Sequence, residues 1–374
     1  MGRDMAFVKI AQPGLHIAYN HDVCVSEEFA QTHATIAEAL RDERLLKAFE
    51  FYEHQAKHHK RLFHALGFGS LLMGLVTLIS AALAAAYGQS MVHVFGRAGV
   101  IAEAGSVAAL VCVLSNRLGR HRVLWCQAVF CRERLRQWHF QLFMDGQLIG
   151  LLQTAPPEFK AEVNRRWNNL QQNLLDGYGI MVAFVRHGSH NDDLMHEPSP
   201  YADPELGKTV LRALWTLRFE HQLRFGDKKI ETEAEQAGMA LAERTAASES
   251  VATVTLAGAV FVGALGFFAG LAEAYPGLAP LAWDVPVLSR YLVGTSLLLA
   301  VLSAASRAYR AGYTLPDESE SYKEYSDRIR EFRAVFESAT TDEERFRQLA
   351  RLEAEAAAEL RRFLKMKMRA TFIF

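Results

Sequence analysis

Four stretches with almost no charge interrupt a chain otherwise dense in charged and aromatic positions. Residues 65–87 carry no charged side chain, 99–115 are broken only by Glu103, and 251–275 hold one acid, Glu273, near their end. Residues 291–306 supply the fourth stretch. A helix needs roughly 20 apolar residues to cross a hydrocarbon core about 30 Å thick, so the pattern predicts four transmembrane helices. The connection from Gln89 to Arg97 is short enough to force the first two into an antiparallel hairpin. Between the second two lies Pro276 to Arg290, with three prolines and Trp283, a composition suited to a loop at the membrane interface.

The charged segments between these runs have a helical period. Phe29, Ile36, Leu40, Leu45, Leu46, Phe49 and Tyr52 recur among charges from Glu27 to His64, which predicts a soluble amphipathic helix or helix pair leading into the first span. Beyond each hairpin the pattern predicts a further charged helix, Val123 to about Thr154 and then Glu320 to Arg369. Arg134-Leu135-Arg136-Gln137-Trp138 in the first has a counterpart in Arg328-Ile329-Arg330-Glu331-Phe332 in the second. Two copies of a helix, hairpin, helix unit account for this layout. The expected divisions are a short N-terminal segment (1–25), a first unit (26–186), a linker rich in His, Asp, Ser and Pro (187–207) and a second unit (208–374). Within the first segment, Ala6 to Ile10 and Leu15 to Tyr19 flank Pro13-Gly14 in a hairpin-like signal. The fold class is therefore an all-α integral membrane protein, its four spans forming two hairpins with long cytoplasmic helical extensions packed as a bundle.

Composition sharpens this picture. Half of the 374 residues are hydrophobic and 22% are charged, so the two kinds must be segregated along the chain, and ten prolines leave room for long helices. A net charge of -1 gives no global basic excess for nucleic-acid binding. Four cysteines without CxxC spacing read as free thiols in a reducing compartment. The first residues lack the apolar core of a signal peptide, and Ala6 stands where a myristoylation motif needs Ser or Thr. Basic residues resist translocation. Lys57, Lys60 and Arg61 precede the first span and Arg117, Arg120 and Arg122 follow the second, against Arg97 alone between them. Arg244, Arg307 and Arg310 repeat the bias more weakly around the second hairpin, placing both termini in the cytoplasm.

No glycine-rich phosphate loop, zincin motif or nucleophile elbow is present, so the chain is expected to be non-enzymatic and to need no cofactor. His54 and His58 have i, i+4 spacing, and His187, His190, Asp192, Asp193 and His196 cluster in the linker. A solvated face and a polar linker explain both better than a metal. Glu103 is the most informative residue, since a carboxylate at the centre of a span costs roughly 2.5–3.5 kcal/mol and usually faces water, a partner or a pathway. It either lines a pathway with Ser106 beside it or snorkels to the outer surface. Ser70 with Gly74, and Gly266 with Gly270, have the small-xxx-small spacing that brings helices close in lipid, within a hairpin or between copies. The apolar side of the last helix, carrying Phe346, Leu349, Leu352, Leu360, Phe363 and Leu364, either packs on neighbours or lays its basic end on anionic lipid.

The run Phe51-Tyr52-Glu53-His54-Gln55-Ala56-Lys57-His58-His59-Lys60-Arg61-Leu62-Phe63 leads directly into a hairpin. A Trp-bearing helix with Arg132-Glu133-Arg134-Leu135-Arg136 follows it. This arrangement resembles the SLATT-type two-transmembrane effector domains of bacteria, with a second echo in Leu214-Trp215-Thr216-Leu217-Arg218-Phe219-Glu220-His221-Gln222. The resemblance covers about residues 27–153 and 206–374, although this chain has two hairpins where a family unit has one. It implies an antiphage defence effector of the bacterial inner membrane, silent until a cytoplasmic sensor protein or a nucleotide signal arrives. The effector then assembles as a homo-oligomer and permeabilises or depolarises the bilayer. Arg134, Arg136, Trp138, Arg328, Arg330 and Phe332 are the expected cytoplasmic docking residues. A non-conducting scaffold or sensor that recruits a partner is the alternative.

Overall fold

A computed structural model of the chain describes residues 22–23, 25–87, 98–187, 197–223, 241–274, 285–370 and 372. The β-leaning runs expected before residue 20, the connector Gln89–Arg97, Trp283, and the linker residues His190, Asp192, Asp193 and His196 lie outside them. The described residues are almost entirely helical, with one isolated bridge, Asp145 to Ser199, and no strand among them.

Short helices α1 (Glu27–Thr32) and α2 (Ala37–Leu40) precede α3 (Glu43–Tyr87), one continuous helix of 45 residues that joins the charged leading segment to the first apolar run. At 1.5 Å per residue it is roughly 67 Å long, about twice the thickness of a bilayer core. The second apolar helix is α4 (Ala98–Leu118), and α5 (His121–Leu142), α6 (Gly146–Thr154), α7 (Pro156–Leu175) and α8 (Gly177–His187) follow. In the second half, α9 (Pro204–Leu214) runs into a π-helical turn, Trp215–Glu220. Helices α10 (Leu241–Ala274) and α11 (Val285–Tyr313) are apolar, α12 (Leu315–Ser338) and α13 (Asp342–Arg369) charged. Helices α3, α4, α10 and α11 are each long and apolar enough to cross a membrane.

Both charged helices expected beyond the apolar runs are broken. Phe143–Asp145 separate α5 from α6, whose first turn is capped by the Asp145 carboxylate accepting from Leu148 N–H at 3.0 Å. Thr341 and Glu344 form a capping box that starts α13 afresh after α12.

The two halves share one backbone device. Arg120 (φ 50°) and Thr314 (φ 52°) alone among the described non-glycine residues adopt left-handed backbone, each where an apolar helix ends and a charged one begins. Such a conformation costs a β-carbon-bearing residue roughly 1–2 kcal/mol, so its recurrence marks an imposed break. Leu135 follows Arg120 by the same fifteen residues that separate Ile329 from Thr314, and both are fully buried.

The four apolar helices pack in a row. Helix α4 lies along α3, α3 along α11, and α11 along α10, which leaves α4 and α10 at the two ends. Side chains at the foot of the row bind it to the charged helices. Arg122 donates to the Ala370 carbonyl at 2.6 Å, Lys367 Nζ to Thr314 Oγ1 at 2.8 Å, and the His64 and Tyr313 rings stand 4.6 Å apart. Below lies one core, in which α3, α5, the π-helical turn and α13 bury Phe49, Phe130, Phe140, Phe219, Leu349 and Leu352.

Candidate functional site

Small residues set the spacing inside the row. On α10, Ala252, Ala259 and Gly266 recur every seven residues and are buried. Opposite them on α11 stand Ser289, Ser296 and Ser303, with the same spacing. Ser303 Oγ donates to the Ala252 carbonyl at 2.8 Å and Ser296 Oγ to the Ala259 carbonyl at 2.7 Å. A β-carbon on Gly266 would meet Leu292 at 3.2 Å, and one on Gly270 would lie 3.7 Å from Ser289 Oγ. Gly266 and Gly270 therefore face α11 of the same chain. A seven-residue repeat keeps two helices in contact along a left-handed crossing, and small residues on it let the backbones approach. The sequence carries this serine heptad, which the GxxxG spacing alone did not reveal.

The α3–α4 contact is built in the same way. A β-carbon on Gly105 would lie 2.6 Å from Thr77 Oγ1, and one on Gly69 would lie 3.4 Å from Cys112 Sγ. Gly105 and Cys112 are again seven apart. Thr77 Oγ1 also reaches the Ala102 carbonyl at 3.3 Å. Ser70 is buried and donates to the Gly67 carbonyl of its own helix at 2.7 Å, while Gly74 is half-buried.

Glu103 and Ser106 sit elsewhere on α4. Both are exposed, on a helix whose apolar part is almost wholly uncovered, together with Val100, Val107, Leu110 and Val111. Ser106 Oγ turns back to the Ala102 carbonyl at 2.9 Å. Helix α10 is similarly bare at the other end, exposing Val254, Val260, Phe261, Phe267 and Phe268.

The residues expected to dock a partner divide. Arg136 and Trp138 are inside the core: Trp138 packs edge-on against Trp167, and Arg136 pairs with Asp22 at 3.0 Å and with Glu133. Arg134 is half-buried and bonds Gln137 at 3.0 Å. On α12, Arg330 is exposed and pairs with Asp327 at 2.7 Å, Arg328 pairs with Glu355, and Phe332 packs against the core. The segment Arg134–Trp138 thus faces inward, and the similar segment Arg328–Phe332 faces largely outward.

Sequence reasoning missed the buried charged centre around Asp22. Its carboxylate faces Arg136, Arg218 at 3.4 Å and the His221 ring at 3.9 Å. Arg218 rises from the π-helical turn, pairs with Glu353 of α13 and lies 4.4 Å over the Phe140 ring. Burial would raise the Asp22 carboxyl, but Arg136, His221 and Arg218 outweigh it and hold it below its ordinary value. Burial drives His139 beside them down to about 4, so its ring is neutral. Neither of its nitrogens has a hydrogen-bond partner among the described residues. At the outer end of the same cluster, Arg132 and Lys57 outweigh burial and hold Glu53 near 2. Buried charges persist only when paired, and these five elements are tied together by such pairs.

His59 and His121 approach through their Nδ1 atoms at 3.2 Å, and the His54 and His58 rings stack at 6.5 Å. Among the described residues no group of three His, Cys, Asp or Glu side chains is placed to hold a metal ion. Cys126 and Cys131 are buried, and desolvation raises both thiols to about 12, which makes them unreactive as nucleophiles. No protein family, curated protein or solved structure matches this chain.

Proposed function

We propose that the chain is a non-enzymatic effector of the bacterial inner membrane. Its row of four helices crosses the bilayer as two hairpins, with both termini and the charged helical body in the cytoplasm. Copies associate side by side through the ends of the row, α4 and α10, and a polar path opens along α4 when a cytoplasmic sensor protein or nucleotide signal acts on the body. The observation that carries this reading is the bareness of α4, which holds Glu103 and Ser106 on its uncovered side. A carboxylate facing lipid is costly. A neighbouring copy or a water-filled path offsets that cost, and rings of acidic side chains favour cations. The resemblance to SLATT-type domains supports a role in antiphage defence.

The second reading is a non-conducting scaffold. It is favoured by the size of the helical body and by Arg330 and Glu331, which leave the outer face of α12 exposed for a partner. Membrane potential separates the two readings. Induction of the chain, alone and with its genomic neighbours, should depolarise cells if it is an effector and leave the potential unchanged if it is a scaffold. Reporters fused after residue 20, within 187–207 and at Phe374 should all read cytoplasm, and one near Ser90 should read the outside. A linker reporter on the outer side overturns the two-hairpin arrangement.

A further inference from the structure

At the foot of the row, where α11 ends, a cleft of about 680 Å³ opens between α11, α12 and α13. Five basic side chains line it, Arg307, Arg310, Arg362, Lys365 and Arg369, with three acids, Asp317, Glu320 and Glu324. Internal pairing accounts for only part of this set. Arg362 is held by Glu324 at 3.3 Å and by Glu355 and Glu359, and Arg310 reaches Glu249 at 3.4 Å while its buried Nε has no hydrogen-bond partner among the described residues. Arg307, Lys365 and Arg369 make no ion pair among the described residues, and neither do Asp317 and Glu320. The three free cations come from two helices more than fifty residues apart in sequence, so local helix patterning does not explain their convergence. Like charges gathered at one cleft repel unless an anion sits among them. The α12 wall adds the reverse polarity, since its two unpaired acids face the same space.

A ligand complementary to both walls carries a phosphate and an amine. Arg307 lies immediately after the apolar run that ends at Ser306, which is the depth at which phospholipid headgroups stand if α11 crosses a membrane. We infer that this cleft binds the headgroup of an aminophospholipid, its phosphate held by Arg307, Lys365 and Arg369 and its ammonium by Asp317 and Glu320. The lipid source rests on the membrane reading above; recognition of the phosphate and amine does not. Thr314, which lines the cleft, accepts from the buried Lys367 of α13 at the joint between α11 and α13, so an occupied cleft would brace that joint.

The test uses the full chain in an uncharged detergent, titrated calorimetrically with short-chain phosphatidylethanolamine, short-chain phosphatidylglycerol and free phosphoethanolamine. Phosphatidylethanolamine should bind best. The triple variant R307Q/K365Q/R369Q should weaken it about a hundredfold, each surface charge contributing a factor of several, while R347Q on the far part of α13 should leave it unchanged. The pair D317N/E320Q should weaken phosphatidylethanolamine and spare phosphatidylglycerol. Equal binding of all probes by the parent and the triple variant overturns the site. Tighter binding of phosphoethanolamine than of the lipid overturns the lipid assignment. Sodium carbonate extraction of cell membranes tests the parent reading separately: release of the chain would sink membrane insertion even if the charge variants lose phosphate binding as expected.

Discussion

Gly67 on α3 and Gly312 on α11 meet opposite edges of a single ring, that of Phe372, and a methyl group on either glycine would overlap it. The ring is 8% exposed, closed in by Phe63 at 5.4 Å and Tyr313 at 5.2 Å, and the chain just before it is tied to Arg122 through the Ala370 carbonyl. The end of α13 therefore wedges between the two inner helices of the row at the level where they leave it. Any change that separates α3 from α11 must move this ring.

Phe372→Ala should lower the stability of that joint by about 3 kcal/mol, the usual cost of truncating a buried phenylalanine. Gly67→Ala should expel the ring and cost a similar amount. The two changes share one space, so the double variant should be clearly less destabilised than the sum of the singles, the added methyl filling part of the vacated volume. Denaturant unfolding in mixed micelles measures this. Strict additivity would mean the ring and the glycine do not compete for the same site.

The Asp22 centre gives a prediction about charge. Arg218→Met leaves Asp22 and Glu353 buried without their shared cation, which should cost about 3–5 kcal/mol. Adding Glu353→Leu removes one of the stranded acids and should recover part of the loss. Thermal unfolding of the two variants decides it. If the double variant is no more stable than the single, the pair is not the reason Arg218 is held there.

Acid should weaken the body in two windows. His139 is held neutral with its value lowered to about 4, so between the ordinary histidine value of 6.5 and about 4 the unfolded chain takes up a proton that the folded chain refuses. Stability falls through that window as pH falls. Glu53, depressed to about 2, contributes stability that is present above its ordinary value of 4.5 and lost as pH drops toward 2. His139→Leu should reduce the loss between 6.5 and 4, to which His33, His59 and His121 also contribute, and leave the lower window intact. An unchanged slope in the upper window would assign it to another group.

The four apolar helices were legible because runs such as 65–87 have no competing explanation. Their contacts were less so, because these helices are apolar on their packed and bare sides alike and hydropathy does not mark the packed face. That information lies in small residues at seven-residue spacing, as at Ser289, Ser296 and Ser303. The break at Thr341 was written as Thr341-x-x-Glu344, a capping box inside an otherwise continuous period. Arg120 and Thr314 had no such signal beyond a nearby glycine, since tertiary packing fixes their backbone. Asp22 lies in a segment without period, and a charge there gives no hint of burial. The same packing predicts what a truncation near residue 340 does. Losing α13 removes Leu349, Leu352, Leu364 and Glu353 from the core, so the body should unfold.

Glu103 carries the remaining prediction. It sits five residues into α4, roughly 7.5 Å along the helix, so within the apolar zone but not at its centre. The face that holds it is bare among the described residues, and α4 meets α3 through Gly105 and Cys112 on another side. If copies join through α4, Ser106→Cys on that uncovered face should cross-link between copies under mild oxidation, and Val107→Trp should hinder assembly by bulk. Given assembly, Glu103→Gln should keep expression and oligomer size but reduce depolarisation, because the carboxylate no longer attracts cations to the path. Glu103→Lys should shift preference toward anions. Membrane potential and ion-substitution currents read both variants. Parent-like depolarisation and selectivity in the two, with no Ser106→Cys cross-link, would make Glu103 a side chain that snorkels to the outer surface and would place the contact between copies at α10 instead.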